Sequence, residues 1–189
     1  RLIVDRSIIH CHTFLAMPES KIQQEIRQTR PFASAFQEAG VALLRTSDQL
    51  QRRLAATVEP HGITAQQYNV LRILRGAHPE AVPTLEIATR MIEHAPGITR
   101  LLDRLEAKKL IERLRCKKDR RRVLCTISEE GLALLTALEQ PMLETLRDCF
   151  HSLSETDARQ LIQLLDDLRE GLYGTCDHSD HPEKEEKQR

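Results

Sequence analysis

Residues Ala95 to Ile127 read APGITRLLDRLEAKKLIERLRCKKDRRRVLCTI, and the fold is decided there. Ile98, Leu101, Leu102 and Leu105 recur at helical spacing and form the apolar stripe of an amphipathic helix, with Pro96 near its first position. Thr99, Arg100, Asp103 and Arg104 fall on the opposite face. Leu110 to Leu114 and Val123 to Ile127 are β-rich runs flanking Cys116 to Arg122, the densest positive charge in the chain. Helix, strand, basic turn and strand follow one another without a linker. This predicts a helix set directly against a basic hairpin, the plan of a winged helix that lies on DNA.

The chain has 189 residues, 40% apolar and 30% charged, enough for one domain or one domain with an appended helical part. Aromatic residues are 3% and Trp is absent, so the core is expected from Leu, Ile, Val and Ala, which favours helices over a sandwich. No apolar run is long enough to span a bilayer, so no membrane partner and a cytoplasmic location are expected. The formal net charge is zero, but it is unevenly spread. Gly62 to Ile127 holds 14 Lys and Arg against 7 Asp and Glu, a net +7 balanced by −7 elsewhere. A basic segment of domain size is the footprint of a nucleic-acid reader. A well-solvated basic face is the plainer alternative.

Along the chain, residues 1–30 read as an N-terminal extension expected to be poorly ordered, and Met17-Pro-Glu-Ser reads as the native start. The segment before it is too short and polar for a signal peptide. Residues 31–61 are assigned to a dimerisation helix from Phe32 to Val58, with Pro31 in its first turn and Pro60-His61-Gly62 ending it. The DNA-binding domain is placed at residues 62–127. In it, Thr64 caps a helix with Tyr68, Leu71 and Leu74 inward, Gly76 to Pro83 is a loop, and Thr84 to Met91 is a short helix. Residues 128–173 supply two further dimerisation helices. Ser128 caps the first, which runs through Leu132, Leu135, Leu138, Met142 and Leu146 with a kink expected at Pro141. Ser154-Glu-Thr-Asp157 opens the second, with a stripe of Leu161, Leu164, Leu165 and Leu168 ending at Gly171. Residues 174–189 read as a disordered tail.

The stripes of the long helices at both ends are wider than a small winged helix can cover. A two-fold homodimer accounts for them and also brings two recognition helices to successive major grooves about 34 Å apart. A monomer whose terminal helices complete its own core is the alternative. The expected fold class is thus mainly α (α+β), a winged helix-turn-helix with long N- and C-terminal helices forming a dimerisation domain.

The blocks G-I-T-A-Q-Q-Y-N-V-L, L-E-I-A, P-G-I-T-R-L-L-D-R-L-E, L-I-E-R, D-R-R and T-I-S-E-E-G occur in the order and spacing of the MarR family of bacterial winged-helix transcription regulators, which the chain closely resembles from Pro31 to Leu172. The resemblance implies a homodimer that binds a palindromic operator in double-stranded DNA, usually as a repressor, and that a small organic effector, phenolic in many members, releases. Some members are thiol-switched instead. Lys109 departs from the family pattern, which commonly has Gly in the turn between recognition helix and wing. Lysine there must adopt a left-handed conformation or close the turn differently.

Candidate contacts at the helix start are Pro96, Gly97, Thr99 and Arg100, with Arg104 beyond them. Arg100 suits bidentate contact with guanine edges, Thr99 a phosphate or thymine methyl, and Gly97 a close backbone approach. A phosphate-only or solvent-facing role is the alternative for Arg100. In the wing, Asp119 and Arg121 match the family's D-x-R, in which the aspartate orients an arginine inserted into the minor groove. Lys117, Lys118, Arg120 and Arg122 would add phosphate contacts and salt dependence.

Five cysteines, at positions 11, 116, 125, 149 and 176, show no CxxC pairing, and reduced thiols are the simpler account. Cys116 and Cys125 flank the wing, and their facing each other across the hairpin would make a redox switch. His10-Cys11-His12 and Cys176 to His181 have metal-like spacing but lie in terminal segments, so no metal site and no cofactor are assigned. No glycine-rich phosphate loop, G-x-S-x-G or H-E-x-x-H occurs, and an enzyme is not expected. The remaining rivals are a non-specific architectural DNA-binding or protein-interaction winged helix, and a thiol-switched regulator.

Overall fold

A computed structural model describes residues 20–93, 96–115 and 122–174, which fall into two compact units, one ending at Gln49 and the other beginning at Leu50. In the first, Ser20 caps the short helix α1 (Lys21–Glu25), its hydroxyl accepting from the Gln23 N–H at 3.4 Å. The long helix α2 (Ala35–Val58) begins three residues after the expected Phe32, and Pro31 lies outside it. Its start is fixed by a polar reciprocity that apolar spacing does not reveal. The Gln37 N–H donates to Ser34 Oγ at 3.2 Å, while Gln37 Oε1 accepts from the Ala33 N–H at 2.8 Å.

In the second unit α2 ends at Val58 and passes through one tight turn to Gly62, whose φ of 73° is left-handed. Thr64 then caps α3 (Ala65–Ala77) in a full capping box with Gln67. The loop expected from Gly76 to Pro83 contains an unforeseen strand, β1 (Val82–Pro83), followed at once by α4 (Thr84–Arg90). Helix α5 (Ile98–Ala107) leads into β2 (Ile111–Arg115), and β3 (Val123–Ile127) returns antiparallel beside it. The sheet order is β1-β3-β2, so Pro83, which has no N–H, sits on an edge strand where it is tolerated. Helices α3, α4 and α5 with this sheet make a winged helix.

Pro96 is not the first residue of α5. The helix is capped by Gly97 and its first bond runs from the Leu101 N–H to the Gly97 carbonyl at 3.1 Å, so Pro96 sits in the preceding turn. Leu102 and Leu105 are fully buried with Val58, Val70, Leu71, Leu74, Ile87, Leu135 and Leu138, one core shared by every helix of the winged lobe.

Helix α6 (Glu129–Cys149) runs unbroken through Pro141, and α7 (Glu155–Gly174) continues past Gly171. Ser154 and Asp157 form the expected box: the Ser154 hydroxyl accepts from the Asp157 N–H at 3.2 Å, and Asp157 Oδ2 accepts from the Ser154 N–H at 3.0 Å. The Ser154 hydroxyl also donates to Asp157 Oδ2 at 2.6 Å, and this bond, with the one from the Ser154 N–H, holds the Asp157 carboxyl below its ordinary pKa. No side chain of α7 is buried among its described residues, and Leu161, Leu164 and Leu168 of its apolar stripe are exposed. None of the helices in the described residues is long and apolar enough to cross a membrane.

The turn after α5 takes the left-handed option, with Lys109 at φ 58°. The Leu110 N–H reaches back to the Leu105 carbonyl at 3.0 Å and the Lys109 N–H to the Glu106 carbonyl at 2.8 Å, the paired bonds of a Schellman closure. The strain at Lys109 is held by what lies across from it. Ser128 Oγ donates to the Lys109 carbonyl at 2.7 Å and accepts from the Gly131 N–H at 3.1 Å. The Ser128 N–H donates to the Leu110 carbonyl at 3.2 Å. Gly131 has to be glycine, because a Cβ there would stand 2.3 Å from the Leu110 carbonyl oxygen and 2.7 Å from Ile127 Cγ1.

The two positions predict opposite signs in urea denaturation. Gly131→Ala gains helix propensity but drives a methyl into a backbone carbonyl, and destabilises by about 2 kcal/mol. Lys109→Gly relieves a left-handed side chain at some cost in chain entropy, and stabilises by about 0.5–1 kcal/mol. A neutral Gly131→Ala or a destabilising Lys109→Gly contradicts this view of the junction.

Candidate nucleic-acid interface

The N-terminal turn of α5 is presented outward by the burial of its other face. Ile98 and Leu101 pack partly, Leu102 and Leu105 fully, and this turns Thr99, Arg100 and Arg104 to solvent, with Pro96 and Gly97 exposed just ahead of them. A cleft of 390 Å³ beside this turn is lined by Thr84, Leu85 and Glu86 of α4, by Thr99, and by Arg113, Arg122 and Val123 of the wing. Thr99 and Arg122, 23 positions apart in sequence, therefore share one depression. Lys117, Lys118, Asp119, Arg120 and Arg121 lie outside the described residues, as do Cys116 and the His/Cys clusters near both termini.

Arg113, which spacing did not single out, ties helix to wing. Its Nε donates to Glu106 Oε2 at 2.8 Å and its Nη2 to Asp103, both on α5, and the side chain is only 18% exposed. Asp103 thus faces the wing strand and is engaged there. The pair was invisible in the sequence because helical and strand periods both break at the Lys109 turn between the partners.

The turn leading into α5 is held from the other side. The Ile92 N–H donates to Asn69 Oδ1 at 3.0 Å and Gln66 Nε2 donates to Glu93 Oε2 at 3.2 Å. These α3 side chains also line a cavity of 430 Å³ walled by Leu54, Tyr68, Ile73, Met91, Met142 and Leu146. Arg72 lies over the Tyr68 ring at 6.0 Å.

The expected facing of Cys116 and Cys125 lies outside the described residues, since Cys116 is not among them. The hairpin register pairs Cys125 with Arg113 on one side and Val82 on the other. Cys125 is fully buried, and burial pushes its thiol pKa up, outweighing a hydrogen bond with Thr84.

Comparison with known proteins places this geometry. The family model described as MarR family matches residues 63–123. The crystal structure of a MarR transcription factor from Planctomyces limnophilus is 38% identical, covers 72% of this chain and 98% of its own, and superposes with a TM-score of 0.58. The chain belongs to the MarR family. Among other MarR relatives, the homoprotocatechuate degradative operon repressor of Escherichia coli is 27% identical over 128 residues, 68% of this chain and 85% of that protein. A cysteine-to-serine mutant of Escherichia coli MarR, solved in complex with operator DNA, is 26% identical, covers 72% of this chain and 99% of its own, with a TM-score of 0.64. These relatives are named as transcription factors and repressors, which accords with a regulator and not an enzyme.

Iodoacetamide at pH 8 should leave Cys125 unlabelled in the folded protein and label it once urea unfolds the chain, as read by peptide mass spectrometry. Rapid labelling of native Cys125 would contradict its burial and its raised pKa.

Proposed function

We propose that the chain is a DNA-binding transcription regulator, a homodimeric repressor of a palindromic operator that a small organic ligand releases. The observation that carries the DNA-reading part is the exposed start of α5, with Thr99, Arg100 and Arg104 outward and Thr99 sharing a cleft with Arg122. Arg100 reads a base edge, Thr99 and Arg104 touch the backbone or a thymine methyl, and Pro96 and Gly97 allow close approach. Asp119 orients Arg121 into the minor groove, while Lys117, Lys118, Arg120 and Arg122 hold phosphates. The operator complex of the 26%-identical relative and the repressor named among the others support this reading.

The dimer is supported by the unburied stripe on α7, where Leu161, Leu164 and Leu168 are joined by exposed Ile162, Leu172 and Tyr173. Leaving that much apolar surface in water is unusual for a monomer, and a second copy covers it isologously. Arg121→Ala weakens operator binding at least tenfold in a gel-shift titration, while light scattering shows the same dimer mass as for the unaltered protein. Unchanged affinity sinks the wing assignment, and a monomer mass at micromolar concentration sinks the dimer.

Ligand release is supported by the cavity whose polar wall, Asn69 and Gln66, also holds the turn into α5. An aromatic acid that recruits Asn69 takes that side chain from the Ile92 N–H and frees the turn. Asn69→Ala therefore imitates the ligand: it weakens DNA binding by itself and reduces the further release caused by 2-hydroxybenzoate. A full ligand response in Asn69→Ala would refute this coupling.

A further inference from the structure

The far end of the recognition helix carries a contact that base reading does not use. Lys108 is the cap residue following α5, and its side chain does not extend free into solvent. Its ammonium donates to the Gly62 carbonyl and lies 3.4 Å from Gln67 Oε1. Gly62 belongs to the turn that joins α2 to α3, where it is the left-handed residue, and Gln67 to the first turn of α3. Gln67, 2% exposed, has its oxygen already engaged by the Thr64 N–H at 3.1 Å, while its own N–H donates to Thr64 Oγ1 at 3.2 Å. The ammonium is therefore docked on the capping box that starts α3. The donor is charged, and a charge-assisted hydrogen bond is stronger than a neutral one.

The contact lies at the opposite end of α5 from Thr99 and Arg100, and leverage gives it weight. A helix of 10 residues is about 15 Å long, so a tilt of roughly 10° about one end shifts the other by about 2.6 Å. Hydrogen bonds to base edges do not survive that displacement, since they weaken beyond about 3.2 Å. The other tethers at this end, Ser128 to Lys109 and Arg113 to Asp103 and Glu106, lead to α6 and to the wing. Lys108 alone among these three runs to the α2–α3 turn and the start of α3.

We propose that Lys108 is a positioning residue: it ties the C-terminal end of the recognition helix to the α2–α3 turn and so sets the angle at which Thr99 and Arg100 meet the groove. The proposal rests on the reading of α5 as the base-reading helix. Lys108 acts without touching DNA, and this separates it from an ordinary phosphate-binding lysine.

The test uses the full chain and the duplex that the unaltered protein selects from random DNA. Lys108→Met keeps the apolar stem and removes the ammonium, and Lys108→Gln repeats the test with a polar end. Affinity is titrated over a series of salt concentrations, with thermal midpoints recorded in parallel. Lys108→Met should bind at least fivefold more weakly, with its thermal midpoint little changed and the slope of log K against log salt unaltered. Lys108→Arg, which can reach the same carbonyl, should recover to within about twofold. A loss of affinity with the slope reduced by about 0.9 per subunit, about 1.8 for a dimer on its operator, identifies a phosphate contact and overturns the proposal. Unchanged affinity in both Lys108→Met and Lys108→Gln overturns it as well. If the unaltered protein selects no duplex, the base-reading assignment fails with it. If selection succeeds and only the Lys108 variants are silent, the positioning role alone is wrong.

Discussion

One hydroxyl joins the end of the recognition helix to the start of the long helix that leaves the winged lobe. Ser128 Oγ donates to the Lys109 carbonyl and accepts from the Gly131 N–H, so a single side chain serves an orphan acceptor at a helix C-terminus and an orphan donor at a helix N-terminus. The backbone reinforces it, with the Ser128 N–H on the Leu110 carbonyl. That closeness leaves no room for a Cβ at residue 131. Serine, glycine and the left-handed lysine are therefore one constraint. Each is explained by the other two, and together they fix where α5 ends relative to where α6 begins.

The rest of the lobe distributes tethers around that fixed point. Arg113 draws α5 against the wing, Lys108 draws it toward the α2–α3 turn, and Asn69 and Gln66 hold the turn before it. The Arg113 guanidinium is largely shielded, though its two carboxylate partners are about half exposed, and it is screened less than Arg159 with Glu155, a pair that sits in water and contributes little. None of the tethers occupies Thr99, Arg100 or Arg104. A helix held at several points with these side chains left outward suits the base reading proposed for it.

Much of this was legible in the sequence where a local rule decides it. The Thr64 cap, the Ser154 box, the Ser128 cap, the buried face of α5 and the bounds of β3 each follow from a few neighbouring residues. Partial legibility marks the places where two local signals compete. Pro31 suggested an early start for α2, but the Ser34–Gln37 reciprocity set it later, and Pro96 yielded the helix start to Gly97. What depends on distant partners was not legible at all. Strand β1 is two residues long and exists only because Val82 and Pro83 pair with Cys125 and Leu124 of β3. Arg113, Lys108 and Gly131 carry functional geometry through contacts that cross the turn or the lobe, where no periodicity reaches. At Lys109 the sequence posed two options, and the Schellman bonds decide between them.

The central claim is that α5 reads base edges and that two copies do so under two-fold symmetry. Selection of bound sequences from random duplex DNA addresses both halves at once. The expected outcome is an inverted repeat with half-sites about 10 base pairs apart, centre to centre, strongly preferred over unrelated DNA. Recovery of unrelated sequences with no common element, or of a single asymmetric site, would contradict it.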